Sequence, residues 1–432
     1  MIAEACRFIS RDQRNAGRKW LAQGTDCRPV IAGSAATSAR SRVPDRLRRQ
    51  IGRMLLPVLA LALVSPAFAE NLQDTPARAA LVVDLSSDAT LIEKNADERL
   101  PPASMLKLMT LYMVFEALER GNLSMSDEFR TSAKAAGMGG SKMFIREGEL
   151  VSVENLIRGV IVQSGNDAAV ALAEGLAGTE EAFARRMNQR AAELGLENSH
   201  FENATGWPHP DQYMSSRDLV EIATLLIEQF PQYYPMFAER EFSWDGVHQQ
   251  NRNPLLSLDI GADGLKTGHT EEAGYGLVAS AKRGERRVVM AIVGMQNSAE
   301  RAHEAERLIN WAFRAFETRE LFVKDRELAR APVWIGAASH VGLAPVRDVV
   351  ITAPYGNIDQ AKLRIIYDGP IAAPIRKGST IGRLEIAVPG IPPVNVPLIA
   401  TDEVERGGFL TRIQAATQLL LGNVMPDRLR SF

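Results

Sequence analysis

Three short motifs hold side chains that could form and break covalent bonds. In the first, Ser104 precedes Lys107 by three positions, and in the second, Ser164 precedes Asn166 by two. The third motif, Lys-Thr-Gly, begins at Lys266. Serine is a poor nucleophile at its ordinary pKa, so catalysis by Ser104 would require a base. Because residues three apart share one face of a helix, Lys107 can reach the hydroxyl of Ser104.

Lys107 can act as that base only while its amine is neutral. Lowering the pKa of a lysine from about 10.4 to between about 7 and 8 costs on the order of 4 kcal/mol, which an exposed helix face cannot supply. Burial and a second nearby cation both lower a lysine pKa, so the hypothesis requires both around Lys107. Taken alone, Ser104 and Lys107 are better explained as an ordinary helix start with a solvated lysine.

The order and the setting of the motifs favour the catalytic interpretation. Each motif occurs once, and the three are predicted at a helix start, in a connection between helices and on a strand. The same ordered trio, with Ser-Asp-Asn as the middle form, is typical of penicillin-binding proteins and class A β-lactamases. Chance is therefore a poor explanation of the set.

The apolar pattern predicts an α+β domain that positions these motifs. A helix is expected over Ser104–Leu118, and the second motif falls in the connection between two further helices. The third motif falls on the first of three antiparallel strands. The other predicted elements are a strand pair at 79–84 and 90–93, helices at 152–161, 167–176, 179–194, 216–230 and 299–317, and strands at 264–269, 275–282 and 286–294.

Longer stretches around the motifs are similar to one family. They are Pro101–Lys107, Gly140–Phe144, Leu156–Gly159, Gln163–Ala168, Asp263–Thr270 and Ala273–Tyr275. On these residues the chain resembles the low-molecular-mass penicillin-binding proteins, the serine D-alanyl-D-alanine carboxypeptidases of the bacterial periplasm. The resemblance implies that residues 70–322 form a β-lactamase/transpeptidase-like catalytic domain, with an antiparallel sheet flanked by helices and a helical subdomain.

The resemblance also implies a role for each motif residue. Ser104 would attack the carbonyl of the penultimate D-alanine of a peptidoglycan stem pentapeptide, with Lys107 as base, and release the terminal D-alanine through an acyl-enzyme. Ser164 would relay a proton to the leaving amine. Asn166 would hold Lys107 and the substrate amide, and Lys266 would be the second cation. The enzyme would act in cell wall synthesis and remodelling, and β-lactam antibiotics would acylate the same serine.

Substrate binding is expected around the third motif. Backbone N–H groups of Ser104 and His269 would form the oxyanion hole, and the segment Gly139–Ile145 is expected to line the cleft. The residues expected to bind the substrate and its free carboxylate are Lys266, Thr267, Gly268, His269 and Arg217. For Arg217, a helix-surface ion pair with Asp218 or Glu221 is an equally good interpretation.

Two other functions remain open at this point. A β-lactamase would share the acylation machinery but needs a carboxylate placed to activate water. Glu197 lies between the second and third motifs, yet it follows a helix end that the peptidases share, and Gly165 stands where the β-lactamase form has aspartate. A non-catalytic wall-binding protein would retain the fold without needing the motif side chains, all of which are present.

Residues 1–69 are predicted to be a leader and signal peptide. Basic residues precede the apolar run Met54–Val64, and Ala67–Ala69 has the small-x-small pattern that predicts cleavage after Ala69. Both cysteines, Cys6 and Cys27, lie in this part. The leader holds 12 of the 50 Lys and Arg residues and 4 of the 52 Asp and Glu residues, so the rest of the chain has ten more acidic than basic residues. Nucleic acid is therefore not expected as a partner.

The sequence predicts neither a metal ion nor a cofactor, because it contains no phosphate-binding loop and no cluster of His or Cys with metal-ligand spacing.

Short β-type runs over 331–402 predict a small all-β domain. Residues 407–432 are predicted to form an amphipathic helix, too short to span a bilayer, that attaches peripherally to the inner-membrane surface. A docking helix of the β-domain is the alternative. Together, the predicted signal peptide and the predicted attachment to the inner membrane indicate a periplasmic location.

Overall fold

The computed structural model describes residues 7–11, 74–409 and 413 of the 432-residue chain. The predicted signal peptide and its cleavage site after Ala69 lie outside these residues. The predicted C-terminal helix also lies outside them, except for Phe409 and Ile413. Within the described part of the chain, no helix is both long and apolar enough to cross a membrane.

The elements are numbered here in chain order, beginning with strand β1 at Arg7–Arg11. The strands between residues 74 and 315 are β2 (Ala79–Asp84), β3 (Ala89–Lys94), β4 (Glu128–Arg130), β5 (Leu150–Ser152), β6 (Glu241–Trp244), β7 (Val247–Gln250), β8 (Ala262–Thr270), β9 (Gly274–Arg283) and β10 (Arg286–Met295). The α-helices are α1 (Lys107–Glu119), α2 (Ala133–Gly137), α3 (Val153–Ile161), α4 (Asn166–Ala177), α5 (Glu180–Leu194), α6 (Ser216–Gln229) and α7 (Ser298–Ala315). Short 3₁₀-helices are formed by Ala103–Leu106, Tyr234–Ala238 and Pro254–Ser257.

An antiparallel sheet of five strands, in the order β3-β2-β10-β9-β8, is the centre of this part. Successive side chains of a strand point to opposite faces of a sheet. On β10, Val289 and Ala291 therefore enter a core formed with α1, α3, α4, α5 and α6, whereas Val288 and Met290 enter a core against α7. Covering both faces explains why the strands read as continuous apolar runs.

The predicted α+β class is confirmed, and most predicted elements agree with the structure within a few residues. The principal difference lies at the start of the first helix. The sequence predicted one helix over Ser104–Leu118, but residues Ala103–Leu106 are a 3₁₀-helix and α1 begins at Lys107. The apolar period does not distinguish the two helix types over so few residues.

Residues 316–406 form the all-β part. Its strands are β11 (Phe316–Phe322), β12 (Ala329–Trp334), β13 (His340–Pro345), β14 (Val349–Pro354), β15 (Lys362–Asp368), β16 (Ile371–Ala372), β17 (Thr380–Ala387) and β18 (Val394–Ala400). Seven strands pair in the order β1-β15-β17-β18-β13-β12-β16, and β11 pairs with β14. The sequence placed residues 316–322 with the catalytic domain, whereas their pairing joins them to the β-domain.

A buried polar contact connects the two parts. The carboxylate of Asp84, on β2, accepts a hydrogen bond of 2.5 Å from the guanidinium of Arg286, and Asp84 is completely buried. Thr318 donates to the same carboxylate at 3.3 Å, and its hydroxyl lies 2.7 Å from that of Thr352 on β14. Ser87 donates to Thr352 at 2.7 Å. These contacts fix the β-domain against the end of β2 and the turn that follows it.

The seven-stranded sheet also includes β1. This strand lies parallel to β15, with Arg7 opposite Arg364 and Arg11 opposite Asp368. The sequence predicted that residues 1–69, which include β1, are a leader and signal peptide outside the catalytic domain. If the predicted cleavage after Ala69 takes place, it removes β1 and leaves β15 as an edge strand.

Candidate active site

Ser104 lies in the tight 3₁₀ turn before α1. In a 3₁₀-helix, side chains three positions apart lie almost above one another, so Ser104 and Lys107 face the same side. Nζ of Lys107 is 3.0 Å from Oγ of Ser104. The residue that packs against this turn must lack a side chain, because a Cβ on Gly206 would lie 1.8 Å from the carbonyl oxygen of Ala103. Glycine at position 206 therefore allows the loop to pass directly beneath the residue before the serine.

Lys107 is completely buried. Its amine donates to Oδ1 of Asn166 at 2.7 Å and to the carbonyl oxygen of Thr205 at 2.6 Å, in addition to its contact with Ser104. A neutral amine has two hydrogens and one lone pair. With both hydrogens directed at Asn166 and Thr205, the lone pair of the neutral form faces the hydroxyl of Ser104.

The pKa of Lys107 is lowered to about 7, first by burial and next by the positive charge of Arg252. The negative charges of Asp167 and Glu180 act in the opposite direction. The sequence named Lys266 as the second cation, whereas Arg252 is the cation with the largest effect on the pKa of Lys107. A large fraction of the Lys107 side chains is therefore neutral near pH 7.

The second motif lies where α3 ends and α4 begins. Ser164 has φ of 59°, in the left-handed region that residues with a side chain rarely adopt. Gly165 follows, and a Cβ there would lie 2.9 Å from Oδ1 of Asp167 and 3.2 Å from the carbonyl oxygen of Gly159. This crowding is the physical reason for glycine at a position where the β-lactamase motif has aspartate.

The third motif lies on β8, directly beside the turn that holds the serine. A Cβ on Gly268 would be 3.0 Å from Cγ of Met105 and 3.1 Å from the carbonyl oxygen of Pro102. Lys266 is 2% exposed, and its Nζ donates to Oγ of Ser164 at 2.9 Å. Burial lowers the pKa of Lys266 well below the ordinary lysine value, and the charges of three nearby cations, Lys107, Arg252 and Arg301, act in the same direction.

The structure therefore brings all three motifs into one cluster. One set of contacts joins Ser104, Lys107 and Asn166, and a second joins Lys266 to Ser164. A hydroxyl beside a buried amine of lowered pKa is the arrangement of an activated serine nucleophile. Lys266 and Ser164 supply a second buried amine and a second hydroxyl, which can move a proton, and the amine can hold an anion in its protonated form.

Comparison with known proteins agrees with this chemistry. The family described as D-alanyl-D-alanine carboxypeptidase matches residues 66–297 of the chain, and that described as penicillin-binding protein 5, C-terminal domain, matches residues 316–406. D-alanyl-D-alanine carboxypeptidase DacA of Escherichia coli (strain K12) is 36% identical over 376 residues, which is 83% of this chain and 93% of that protein. The chain belongs to the D-alanyl-D-alanine carboxypeptidase family.

Two similar solved structures differ in how much of this chain they cover. Penicillin binding protein 5 from Haemophilus influenzae is 36% identical with a TM-score of 0.72, over 77% of this chain and 100% of that one. Penicillin-binding protein D2 from Listeria monocytogenes, solved in an ampicillin-bound form, is 30% identical with a TM-score of 0.51, over 55% and 98%. The resemblance inferred from the motifs is confirmed.

The carboxypeptidase is accordingly a serine-type hydrolase of the low-molecular-mass penicillin-binding proteins, as the sequence predicted. The β-lactamase and the non-catalytic wall-binding protein are not favoured by the relatives it matches. The predicted transpeptidase-like domain followed by an all-β domain is likewise confirmed.

Arg217 does not join the cluster of this carboxypeptidase. It lies in the first turn of α6, where its guanidinium donates to the carboxylates of Asp97, at 2.7 Å, and Glu93. The structure therefore places it in a surface ion pair, the alternative interpretation, although its partners are not Asp218 or Glu221. The carboxylate of Asp218 instead accepts a hydrogen bond from the backbone N–H of Asn198, in the loop after α5. The sequence correctly placed Arg217 in a helix. Its guanidinium, however, contacts Asp97 and Glu93 and not the catalytic cluster.

Two arginines that the sequence analysis missed lie near the cluster. Arg252, after β7, donates to Oγ of Ser141 at 2.5 Å. Arg301 lies in α7 with its guanidinium 5.8 Å from the ring centre of Tyr275, and its buried Nε has no hydrogen-bond partner among the described residues. Burial lowers the pKa of both side chains. No spacing relates them to the motifs, so only the tertiary structure identifies them.

The predicted cleft segment Gly139–Ile145 lies beside the second motif. Nδ2 of Asn166 donates to the carbonyl oxygen of Gly139 at 2.8 Å, and the backbone N–H of Asn166 donates to that of Ser141 at 2.7 Å. Trp207 packs on the same segment, since a Cβ on Gly140 would lie 3.1 Å from its ring. The ring is 48% exposed and forms the outer wall at this point.

One group of side chains within the described residues has the composition of a metal site. It consists of Glu202, His209 and Asp211, whose ligand atoms lie within 4.8 Å of one another. Two of the three residues are exposed, and all lie in the loop around Trp207 rather than in the catalytic cluster. The chemistry of Ser104 and Lys107 makes no use of this group.

Proposed function

We propose that Ser104 is the nucleophile of an acyl-enzyme mechanism on peptidoglycan stem pentapeptides. Oγ of Ser104 forms a bond to the carbonyl carbon of the penultimate D-alanine, while its proton passes to Nζ of Lys107. The observation that carries this assignment is the 3.0 Å contact between the serine and a completely buried lysine whose pKa is about 7. General-base catalysis is most effective when the pKa of the base lies near the working pH.

The collapse of the tetrahedral intermediate breaks the peptide bond and needs a proton on the leaving nitrogen. Ser164 is placed to relay that proton, because its hydroxyl contacts the buried amine of Lys266 at 2.9 Å. The terminal D-alanine then departs with its new amine hydrogen, and water hydrolyses the ester on Ser104. Asn166 contacts Lys107 on the same side and is positioned to hold the substrate amide.

Two backbone N–H groups are assigned to the oxyanion hole, those of Ser104 and His269. The close approach of β8 to the 3₁₀ turn at Gly268, with contacts near 3.0 Å, supports this pairing. Loss of one such donor typically lowers kcat by about 10²-fold to 10³-fold. The ring of His269 stacks on Tyr275 at 3.8 Å between centres, which holds the end of the strand.

The free carboxylate of the substrate is assigned to β8 and to the two arginines found in the structure. Lys266, Thr267 and Gly268 supply the strand side of this site. The Nε of Arg301 has no hydrogen-bond partner in the part of the chain that the structure describes, and its positive charge acts on Lys266. The charge of Arg252 acts on Lys266 in the same way. We assign this role to Arg301 and Arg252 in place of Arg217, whose guanidinium is held by Asp97 and Glu93.

β-Lactam antibiotics are proposed to acylate Ser104 and to clear slowly. The ampicillin-bound form of the Listeria monocytogenes relative supports the first part. The second part is supported by the position of Glu197, the acidic residue considered for water activation. Glu197 is exposed in the loop after α5, and among the described residues no hydrogen bond joins its carboxylate to Ser104 or Lys107. The carboxylate of Asp167, next to Asn166, is engaged by backbone N–H groups.

The decisive experiment uses the chain from Glu70 onward. We expect one benzylpenicillin adduct by intact mass, on Ser104, persisting for many minutes, and release of free D-alanine from a stem pentapeptide. Ser104→Ala should abolish both, and Ser124→Ala, a change of an exposed serine, should abolish neither. Adduct formation on another residue, or none at all, would contradict the assignment, and rapid clearance would favour a β-lactamase.

We further propose that the protein is exported, cleaved after Ala69 and held on the periplasmic surface of the inner membrane by residues 407–432. Phe409 and Ile413 are four positions apart and are 78% and 46% exposed, which supports an apolar face available to lipid. Deletion of residues 408–432 should release the protein from sedimented membranes. Continued sedimentation would contradict the anchor, and an N-terminus other than Glu70 on the exported protein would contradict the cleavage site.

A further inference from the structure

Asp167 follows Asn166 but has no part in the acyl transfer described above. It lies in the first turn of α4 and is completely buried. In the described part of the chain, no cationic side chain forms an ion pair with it. A buried carboxylate without a cation is unfavourable unless its oxygen atoms receive hydrogen bonds. Its placement beside the cluster therefore requires a physical explanation.

The carboxylate accepts hydrogen bonds from four backbone N–H groups. One comes from Ala168, at 2.9 Å in its own helix. The other three come from consecutive residues of the cleft segment: Met143 at 3.0 Å, Phe144 at 2.8 Å and Ile145 at 3.3 Å. Charge-assisted hydrogen bonds of this kind are roughly twice as strong as neutral ones.

These bonds hold an unfavourable backbone conformation. Phe144 has φ of 70°, in the left-handed region that is a genuine outlier for a bulky side chain. Its ring is 52% exposed, so packing of the ring does not fix the backbone. The three N–H groups converge on one carboxylate only while Phe144 keeps this conformation, so the hydrogen bonds to Asp167 stabilise it.

The other end of the segment is held by the preceding residue. Asn166 contacts the carbonyl oxygens of Gly139 and Ser141, and Oγ of Ser141 accepts from Arg252. Two consecutive residues of α4 therefore fix both ends of segment 139–145. Asn166 also contacts Lys107, so the segment and the catalytic amine are aligned through the same helix start.

We infer that Asp167 is a positioning residue whose buried carboxylate clamps residues 143–145 and so holds the cleft wall in place beside Asn166 and Arg252. The inference rests on the proposed acyl-enzyme function of Ser104. The negative charge of Asp167 also affects the pKa of Lys107. The charged groups that act on the pKa of Lys107 are Arg252, which lowers it, and Asp167 and Glu180, which raise it, and the buried Lys266 completes the surroundings.

Asp167→Asn tests the clamp with almost no change of volume. The amide replaces one acceptor oxygen by an N–H₂ group that faces backbone donors. We expect the amides of residues 143–145 to exchange hydrogen faster and acylation by benzylpenicillin to slow by about tenfold or more, because misplacement of about 1 Å can cost 10²-fold. The rising limb of the pH–rate profile should move to lower pH, since a negative charge near Lys107 is lost.

Glu180→Gln is the matched control. Glu180 also raises the pKa of Lys107, but its carboxylate accepts from the backbone of Ala204 at 3.0 Å and pairs with Lys134, and does not contact the cleft segment. This variant should move the pH limb in the same direction while leaving exchange at residues 143–145 unchanged. Equal exchange in both variants would overturn the clamp.

Further outcomes separate the inference from the function on which it rests. Absence of any adduct in the wild-type protein contradicts the function of Ser104, whereas the exchange measurements still decide the clamp. If Asp167→Asn has the same acylation rate, the same pH–rate profile and the same hydrogen exchange at residues 143–145 as the wild-type protein, the inference is overturned and the function of Ser104 stays intact. If that variant does not fold, exchange in the wild-type protein decides: residues 143–145 lie outside every helix and strand, so unprotected amides there would overturn the clamp.

Discussion

Oδ1 of Asn166 lies 2.7 Å from Nζ of Lys107, so a neutral oxygen of the second motif contacts the amine of the first. An amide accepts a hydrogen bond from the amine without adding a charge. A carboxylate at the same distance would favour the ammonium form and raise the pKa of the lysine. The choice of amide therefore agrees with a pKa of about 7 for Lys107 and with its proposed use as a base.

Asn166→Asp should accordingly slow acylation at pH 7 by about tenfold or more, since one pKa unit changes the neutral fraction by about a factor of ten. The rising limb of the pH–rate profile should move to higher pH. Time-resolved intact mass with benzylpenicillin between pH 5.5 and 9 measures both effects. Asn166→Ala loses the hydrogen bond without adding a charge, and an upward movement of the limb as large as that of Asn166→Asp would contradict this explanation.

The two assignments for the substrate carboxylate are separable by mutation. Arg217→Ala breaks an exposed ion pair with Glu93 and Asp97, so we expect unchanged KM and kcat for a stem pentapeptide and a loss of stability below about 1 kcal/mol. Arg301→Ala should raise KM by about tenfold or more, because a charge-assisted hydrogen bond to the carboxylate is lost. Steady-state release of D-alanine measures both, and a raised KM only in Arg217→Ala would restore the assignment made from the sequence.

The close packing under the nucleophile is tested at Gly206. Alanine there would place its Cβ 1.8 Å from the carbonyl oxygen of Ala103, at φ of +78°. We expect Gly206→Ala to displace Ser104 and to lower the acylation rate by about 10²-fold. Gly121→Ala is the matched control, since φ is +69° and nothing lies within 4 Å of the added Cβ. It should cost about 1 kcal/mol of stability without slowing acylation, and equal acylation rates in the two variants would argue against the packing.

Burial of Lys107 should also be visible in the stability of the protein. Its folded pKa of about 7 lies below the ordinary value of 10.5, so between these pH values the unfolded chain binds a proton that the folded chain does not. Stability therefore rises with pH across this window, by about 2 kcal/mol between pH 7 and 9. Lys107→Met should abolish acylation and remove the contribution of Lys107, so that the rise becomes smaller; the part that remains comes from Lys266, whose pKa is also lowered by burial.

Urea unfolding at pH 7, 8 and 9 measures the effect, with Lys142→Met as control. Lys142 is only partly buried, and its amine donates to the carbonyl oxygen of Ala136. The control should keep the dependence of the free energy of unfolding on pH. The same pH dependence in wild type and Lys107→Met would show that the lysine does not titrate in this window.

Much of this protein could be predicted from local patterns. The strands of the central sheet read as apolar runs because both of their faces are buried, and helix starts such as that of α6 are marked by a capping serine, Ser215, whose Oγ accepts from the backbone of Asp218 at 3.1 Å. The motif residues could be named because covalent chemistry needs particular side chains at particular spacings along a helix, a turn and a strand.

Arg217 shows where such reasoning stops. A local stretch similar to a family identified its helix, but the direction of a long side chain depends on what surrounds it, and here Glu93 and Asp97 lie within reach. Arg252 and Arg301 carried no local signal at all, because their relation to Lys266 exists only between elements distant in the chain.

The sequence by itself determined the order of helices and strands, the three motifs and the chemistry that their side chains permit, since these depend on residue type and short-range spacing. Only the tertiary structure decided that Lys107 is buried, that Arg252 supplies the neighbouring positive charge and that Asp167 holds the cleft wall. A pKa and a clamped backbone depend on desolvation and on charges brought together across the fold, and neither is a property of any one segment.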